Sequence, residues 1–260
     1  MDDTAALKAL DIHYGLAFGC PAADLRRAGW TVVAARDDCD PMALLFGKRM
    51  LLSLLLPAPL PDVAAVAAPR SGVALVASEL RAPVAALLRE STPDVGLGAA
   101  DIAALTHLIT QLAPTSSLEA AHSHIRYTTS ATFSPYRGPW QEWIEPLDEA
   151  GETDTTALRL LATYSSGAYV VRSEGAIVSY AGVRAQSPYI SEITVRTDSI
   201  ELRGHGLAQA VTSRATKAIL AAARLPLYRH PAAHVPSHRV ARALGYRFYA
   251  DALEFVAATQ

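Results

Sequence analysis

The segment RGHGLA, Arg203 to Ala208, sets an arginine and two glycines between an apolar stretch, ISEITV, and a helix-like one, LAQAVTSRATKAILAA. A helix start exposes unpaired backbone N–H groups and the positive end of the helix dipole. Gly204 and Gly206 remove side chains that would keep an anion from those donors. Arg203 adds a fork of donors suited to phosphate oxygens. Each charge-assisted hydrogen bond of this kind contributes about 1.5–3 kcal/mol. The segment therefore suits a pyrophosphate, and reads equally well as a plain glycine turn with Arg203 solvated. Two named phosphate motifs are excluded. A Walker loop needs a lysine and a hydroxyl where Leu207 and Ala208 stand, and a dinucleotide fingerprint needs a third spaced glycine.

The elements around the segment form a regular series. TDTTALRLLA reads as a helix opened by a Thr or Asp cap. GAYVVR and AIVSYAGV read as strands about an SEG turn, and YISEITV as a third strand. The helix after the loop carries Leu207, Val211, Ala215, Ala218 and Ala222 on one stripe. LPLYRH is a short strand. PSHRVARAL is a short helix, with Pro236 in its first turn and Gly245 at its end. YRFYA and LEFVA close the chain as two strands.

The earlier half reads as mixed α/β. ALKALDIHYGLAFG, PVAALLRE and AADIAALTHLITQLAP suggest helices, the last with Ile102, Leu105, Leu108, Ile109 and Leu112 on one face. WTVVAA, RMLLSLLL and GVALVAS have strand length. No catalytic motif stands out there. A connecting stretch, SATFSPYRGPWQEWIEPLDEAGETD, has loop chemistry. Its aromatics, Phe133, Tyr136, Trp140 and Trp143, could wall a pocket; packing between the two halves is the favoured reading. The expected division is an N-terminal α/β domain over 1–145 and a second domain over 146–260.

At 260 residues, 51% hydrophobic and 18% charged, the chain is long enough for a large core. A formal net charge of −2 with scattered Lys and Arg argues against nucleic acid. Cys20 and Cys39 are too few for a disulfide scaffold, which points to a reducing compartment, although one bridge between them stays open. The N-terminus lacks a secretory pattern, and the richest apolar run is broken by Pro57, Pro59, Pro61 and Asp62, so neither a leader nor a membrane helix is expected. A cytoplasmic protein follows. No metal is expected: His230, His234 and His238 are spaced by four, but Pro231 and Pro236 interrupt any helix that would align them.

RGHGLA also fits the Arg/Gln-x-x-Gly-x-Gly/Ala signature of the GNAT superfamily, the acyl-CoA-dependent N-acyltransferases, with Arg203, Gly206 and Ala208 in its defined positions. SEITV resembles the family's fourth strand. HVPSHRVARALGY resembles its second motif, matched by Ser237, Gly245 and Tyr246. The resemblance covers about residues 155–256. It implies an α/β (α+β) protein, its C-terminal GNAT-like domain a mixed, mostly antiparallel sheet flanked by helices with two splayed strands. It implies acetyl-CoA as cosubstrate, its pyrophosphate on the backbone of Arg203, Gly204, His205, Gly206, Leu207 and Ala208. The backbone of Ile193, Thr194 and Val195 would take the pantetheine arm and polarise the thioester.

The same resemblance makes Glu192 the general base for direct transfer to an amine. Ser237 is the candidate for the leaving thiolate, since the family's tyrosine position holds Ala241 and its asparagine position His234. Tyr246, Tyr249 or water are further candidates for the acid. The implied function is an N-acetyltransferase acting on an amine-bearing small molecule or peptide, in a possible homodimer, without nucleic acid or membrane. The departures at Ala241 and His234 motivate a second reading, a non-catalytic acyl-CoA-binding sensor or interaction module.

Overall fold

The computed structural model describes residues 1–35, 48–58, 71–90, 99–112, 118–148 and 152–258. Cys39 and most of the proline-broken apolar run lie outside them. The contacts divide the chain into two compact units. One comprises Leu7–His124 with Tyr249–Gln260, the other Met1–Ala6 with Ile125–Phe248. The chain passes between them at 124/125 and 248/249. The boundary expected at 145/146 falls inside the second unit.

In the first unit, α1 (Asp3–Phe18), which begins at the short N-terminal segment of the other unit, buries Leu10. Strands β1 (Gly29–Ala34), β2 (Lys48–Pro57), β3 (Ser71–Val76) and β10 (Arg247–Ala258) lie in the order β1-β3-β2-β10, with β4 (Leu118–Tyr127) beside β10. β1 and β3 are parallel; β3–β2 and β2–β10 are antiparallel. Two helices, α2 (Arg81–Glu90) and α3 (Ala99–Leu112), supply Val84, Leu88, Leu105 and Ile109 to a core with Leu52, Leu54, Leu56, Val76, Leu253 and Phe255. β2 is buried along Leu51–Pro57, so it reads as a continuous apolar run rather than an alternating one. Leu112, at the end of the expected apolar face of α3, is exposed.

In the second unit, α4 (Thr155–Thr163) begins at Asp154, whose carboxylate accepts from the Thr156 N–H at 2.8 Å. β6 (Ala168–Ser173) and β7 (Ala176–Ala185) form the expected hairpin, with Glu174 and Gly175 both at positive φ in its turn. β8 (Ile190–Thr197) pairs antiparallel with β7, and the two-residue β5 (Glu145–Pro146) edges β6. α5 (Leu207–Ala221) crosses back so that β9 (Leu225–Pro231) lies parallel to β8. α6 (Val235–Ala243) follows β9. The strand order is β9-β8-β7-β6-β5. The core joins Ile193, Leu207, Val211, Ala215, Ile219, Tyr228, Ala241 and Tyr246. The buried stripe of α5 runs on through Ile219, while Ala222 is exposed.

Both units are thus mixed α/β, with mostly antiparallel sheets flanked by helices. Two sequence expectations change. YRFYA and LEFVA are one strand, because β2 pairs from Ala250 to Ala258 without a break, with a shift at Phe255/Val256. LEAAHSHIRY, for which no element is expected above, is β4. Among the described residues, no helix is long and apolar enough to cross a membrane.

Candidate functional site

The strand–loop–helix junction is built as the local chemistry requires. Gly206 caps α5 at φ 88° and ψ 0°, and Gly204 stands at φ 85°, both in the left-handed region that favours glycine. No side chain caps the helix. A Cβ on Gly206 would also lie 3.0 Å from the Tyr136 hydroxyl. The loop is braced from behind. Tyr136 N–H donates to Ser213 Oγ at 3.0 Å, and Trp140 Nε1 donates to the His205 carbonyl at 2.8 Å. Phe133, Tyr136 and Trp140 pack on the core of this same unit, and Trp143 is exposed. Tyr136 and Trp140 therefore brace the glycine loop.

A cleft of about 530 Å³ opens at this junction. Its floor is decided by where two strands part. β8 and β9 pair from Ile190↔Leu225 to Ile193↔Tyr228, and the pairing ends there although both strands continue. Val195 and Thr197 on β8, the loop residues Arg203, Gly204, Gly206, Leu207 and Ala208, and Ser237 on α6 line the cleft. Arg196, Arg239 and His234 line it as well, and among the described residues no carboxylate does. Arg196 is paired with Asp198 outside the lining. Arg203 Nε donates to the Thr197 carbonyl at 3.2 Å, which fixes the guanidinium at the cleft edge. Glycine N–H groups, a helix N-terminus and several arginines in a cleft without carboxylates favour an anion.

Of the residues expected from sequence, Val195, Arg203, Gly204, Gly206, Leu207, Ala208 and Ser237 converge here. Ile193 is buried in the core as the last residue of β8 paired with β9, Thr194 is exposed, and His205 turns to solvent with its carbonyl held by Trp140. Glu192 is not part of the lining. Strand alternation sets it with Thr194 on the face opposite Ile193 and Val195, where its carboxylate accepts from Gln186 Nε2 at 3.1 Å. Ser237 Oγ lies 2.8 Å from His234 Nδ1, and the helix cap at His234 makes no side-chain bond to the backbone.

Tyr246 and Tyr249 are elsewhere. Tyr246 is buried with its hydroxyl 2.7 Å from Thr216 Oγ1 in the core. Tyr249 donates to Asp11 Oδ1 at 2.9 Å, in the first unit. The tyrosine at the cleft is Tyr228, which the sequence reading passed over as part of a short strand. It is 1% exposed, and among the described residues its buried hydroxyl makes no direct hydrogen bond, although the Ser237 hydroxyl stands near enough to act on it. Burial pushes its ionisation up to about 12, against a smaller downward pull from Ser237. A buried, unsatisfied hydroxyl costs roughly 1–3 kcal/mol, so it marks a place where a ligand atom would be welcome. Ala241 is fully buried in the same cluster and does not line the cleft.

No family model matches the chain, and no curated protein does. Solved structures do resemble it. A candidate GNAT-family acetyltransferase of Novosphingobium aromaticivorans is 19% identical over 55% of this chain and 66% of its own, with a TM-score of 0.43. A GCN5-related N-acetyltransferase of Kribbella flavida is 18% identical over 59% and 63%, with a TM-score of 0.41. Another, of Sphaerobacter thermophilus, is 15% identical over 71% of each chain, with a TM-score of 0.42. The chain spans just under two thirds of the length of the first two. All three carry in their names the family that residues 155–256 resemble.

Proposed function

We propose that the second unit binds an acyl-CoA, acetyl-CoA in the first instance, and transfers its acyl group directly to an amine. The observation that carries this reading is the parting of β8 and β9 after Ile193 and Tyr228, directly beside the glycine-rich start of α5. Diphosphate oxygens fit the N–H groups of the 203–208 loop, and Arg203 and Arg239 add charge. The unpaired edge of β8 beyond Ile193 offers backbone groups to an amide-containing arm, as a missing strand would.

The thioester then lies in the gap between the strands, open to both faces of the sheet. Glu192, one residue before the gap on the face opposite the cleft, takes a proton from the incoming amine through water. The amine nitrogen attacks the thioester carbonyl, the C–S bond breaks, and the thiolate leaves toward Tyr228 and Ser237. Tyr228 stays a phenol and donates a hydrogen bond to the developing thiolate sulfur; the thiolate finally takes up one proton for the one the amine has lost. The acceptor is an amine-bearing small molecule or peptide.

Thermal unfolding of the full chain with acetyl-CoA tests the donor site. A ligand present at 100 times its Kd stabilises by about 2.7 kcal/mol. Stabilisation by acetyl-CoA that Arg203→Glu removes supports the reading, and no stabilisation by any acyl-CoA overturns it. Thiol release over an amine panel separates transfer from binding alone. Binding without turnover on the whole panel returns the protein to an acyl-CoA sensor.

A further inference from the structure

In the first unit, three side chains converge that the proposed acyl transfer does not use and that do not line the cleft. His122 and His124 alternate to the same face of β4, and Asp251 stands on the neighbouring strand β10. His122 Nε2 and His124 Nε2 each lie 3.2 Å from the same carboxylate oxygen, Asp251 Oδ1. The three ligand atoms lie within 4.8 Å of one another. Their side chains are 29%, 23% and 21% exposed, so the cluster is shielded yet open to solvent on one side.

We infer that His122, His124 and Asp251 form a binding site for a divalent first-row transition metal. Zinc and its neighbours take imidazole nitrogen at about 2.0–2.1 Å and carboxylate oxygen at about 2.0–2.2 Å. Two such ligands around one ion stand about 3.0–3.4 Å apart, the lower end octahedral and the upper tetrahedral, as follows from those bond lengths. The nitrogen–oxygen separations of 3.2 Å fall in that interval. A His-x-His pair on one strand delivers two nitrogens on one face because side chains repeat every second residue. A pair of sheet-borne strands holds the ligands more precisely than a loop would. The donor set, two imidazoles and one carboxylate, selects zinc, iron(II), cobalt or nickel over magnesium or calcium, which prefer oxygen. Three protein ligands leave room for water or a further ligand on the open side.

Without metal, the same geometry is a carboxylate accepting from two Nε2–H groups. Metal binding moves each neutral imidazole proton from Nε2 to Nδ1, so the Nε2 lone pairs become the ligands and no proton need be lost.

The test uses the full chain, stripped with chelator and dialysed. Zinc chloride is titrated by calorimetry and cobalt chloride by visible absorption. The expected result is one saturable site, a visible d–d spectrum with cobalt, and no competition by millimolar magnesium. His124→Gln and Asp251→Asn should each weaken binding at least about tenfold, and His122→Gln/His124→Gln should abolish it. Stabilisation by acetyl-CoA should be unchanged in these variants, which also reports that the chain has folded. Absence of stoichiometric zinc or cobalt binding by the unaltered chain overturns the inference without any variant. Binding that persists undiminished in the double variant overturns it too, because the metal would then sit on other histidines.

Discussion

Ile193 and Tyr228 are the last residues that pair β8 with β9, and beyond them the two strands continue apart. Ile193 faces the buried core, while Tyr228 carries to the cleft wall a buried hydroxyl that makes no direct hydrogen bond among the described residues. One pair of residues thus ends the sheet's ladder and begins the site.

The Tyr228 hydroxyl is the first point of test. Tyr228→Phe removes one oxygen from a buried position and leaves the ring packed against Tyr246. A donor aimed at developing charge is worth about 100-fold in rate. The expected outcome is kcat reduced about 100-fold with the KM for acetyl-CoA little changed, read in a thiol-release assay. Because the free hydroxyl bears an unmet desolvation cost, the same variant should be no less stable than the parent in a thermal melt.

Gly206 gives a backbone test. A non-glycine residue at φ 88° costs about 1–2 kcal/mol, and the added Cβ would press on the Tyr136 hydroxyl. Gly206→Ala should lower the melting temperature and remove acetyl-CoA stabilisation together. An unchanged melt with full acetyl-CoA stabilisation would contradict the loop geometry.

Arg172 holds the entry to α4. Its guanidinium meets Glu145 at 2.7 Å, Glu152 at 2.6 Å and Asp154 at 3.2 Å, and Asp154 is itself the helix cap. Although partial burial acts against it, these carboxylates hold the guanidinium's ionisation above its usual value. Arg172→Ala leaves three carboxylates facing one another, with an expected loss of about 1–3 kcal/mol in denaturant unfolding. Arg172→Lys should recover only part of it, since a point charge cannot fork to three acceptors.

His13 sets a pH dependence. Its burial in α1 lowers its ionisation below the usual 6.5. Above that value the imidazole is neutral in both folded and unfolded chains, so it contributes nothing to the slope. As pH falls through 6.5 the unfolded chain binds the proton first, and stability is lost until the folded imidazole is protonated too. Denaturant unfolding at pH 8 and at pH 5.5 should show the loss, and His13→Gln should flatten that part of the profile.

What was legible in the sequence was local. The hairpin at Glu174–Gly175, the Asp154 cap and the glycine start of α5 each follow from a few adjacent residues, whose φ preferences and capping bonds act within one turn of chain. The glycine loop of Arg203–Ala208 was legible for the same reason. β4 was not, because only its last residues alternate cleanly in burial while Glu119, Ala120 and Ala121 are exposed. Tyr228 reads in the sequence only as part of the strand LPLYRH, since the surroundings of its hydroxyl depend on where β8 departs from β9. The spacing of Glu192 was legible, while the face it takes follows from strand pairing. His122 and Asp251, 129 positions apart, meet only because β10 returns beside β4. The sequence by itself determined turns, caps and periodicity, which are short-range steric and hydrogen-bond preferences. Strand order decided which side chains share a face and which hydroxyl is left unmatched, because those depend on pairings between segments that no local pattern encodes.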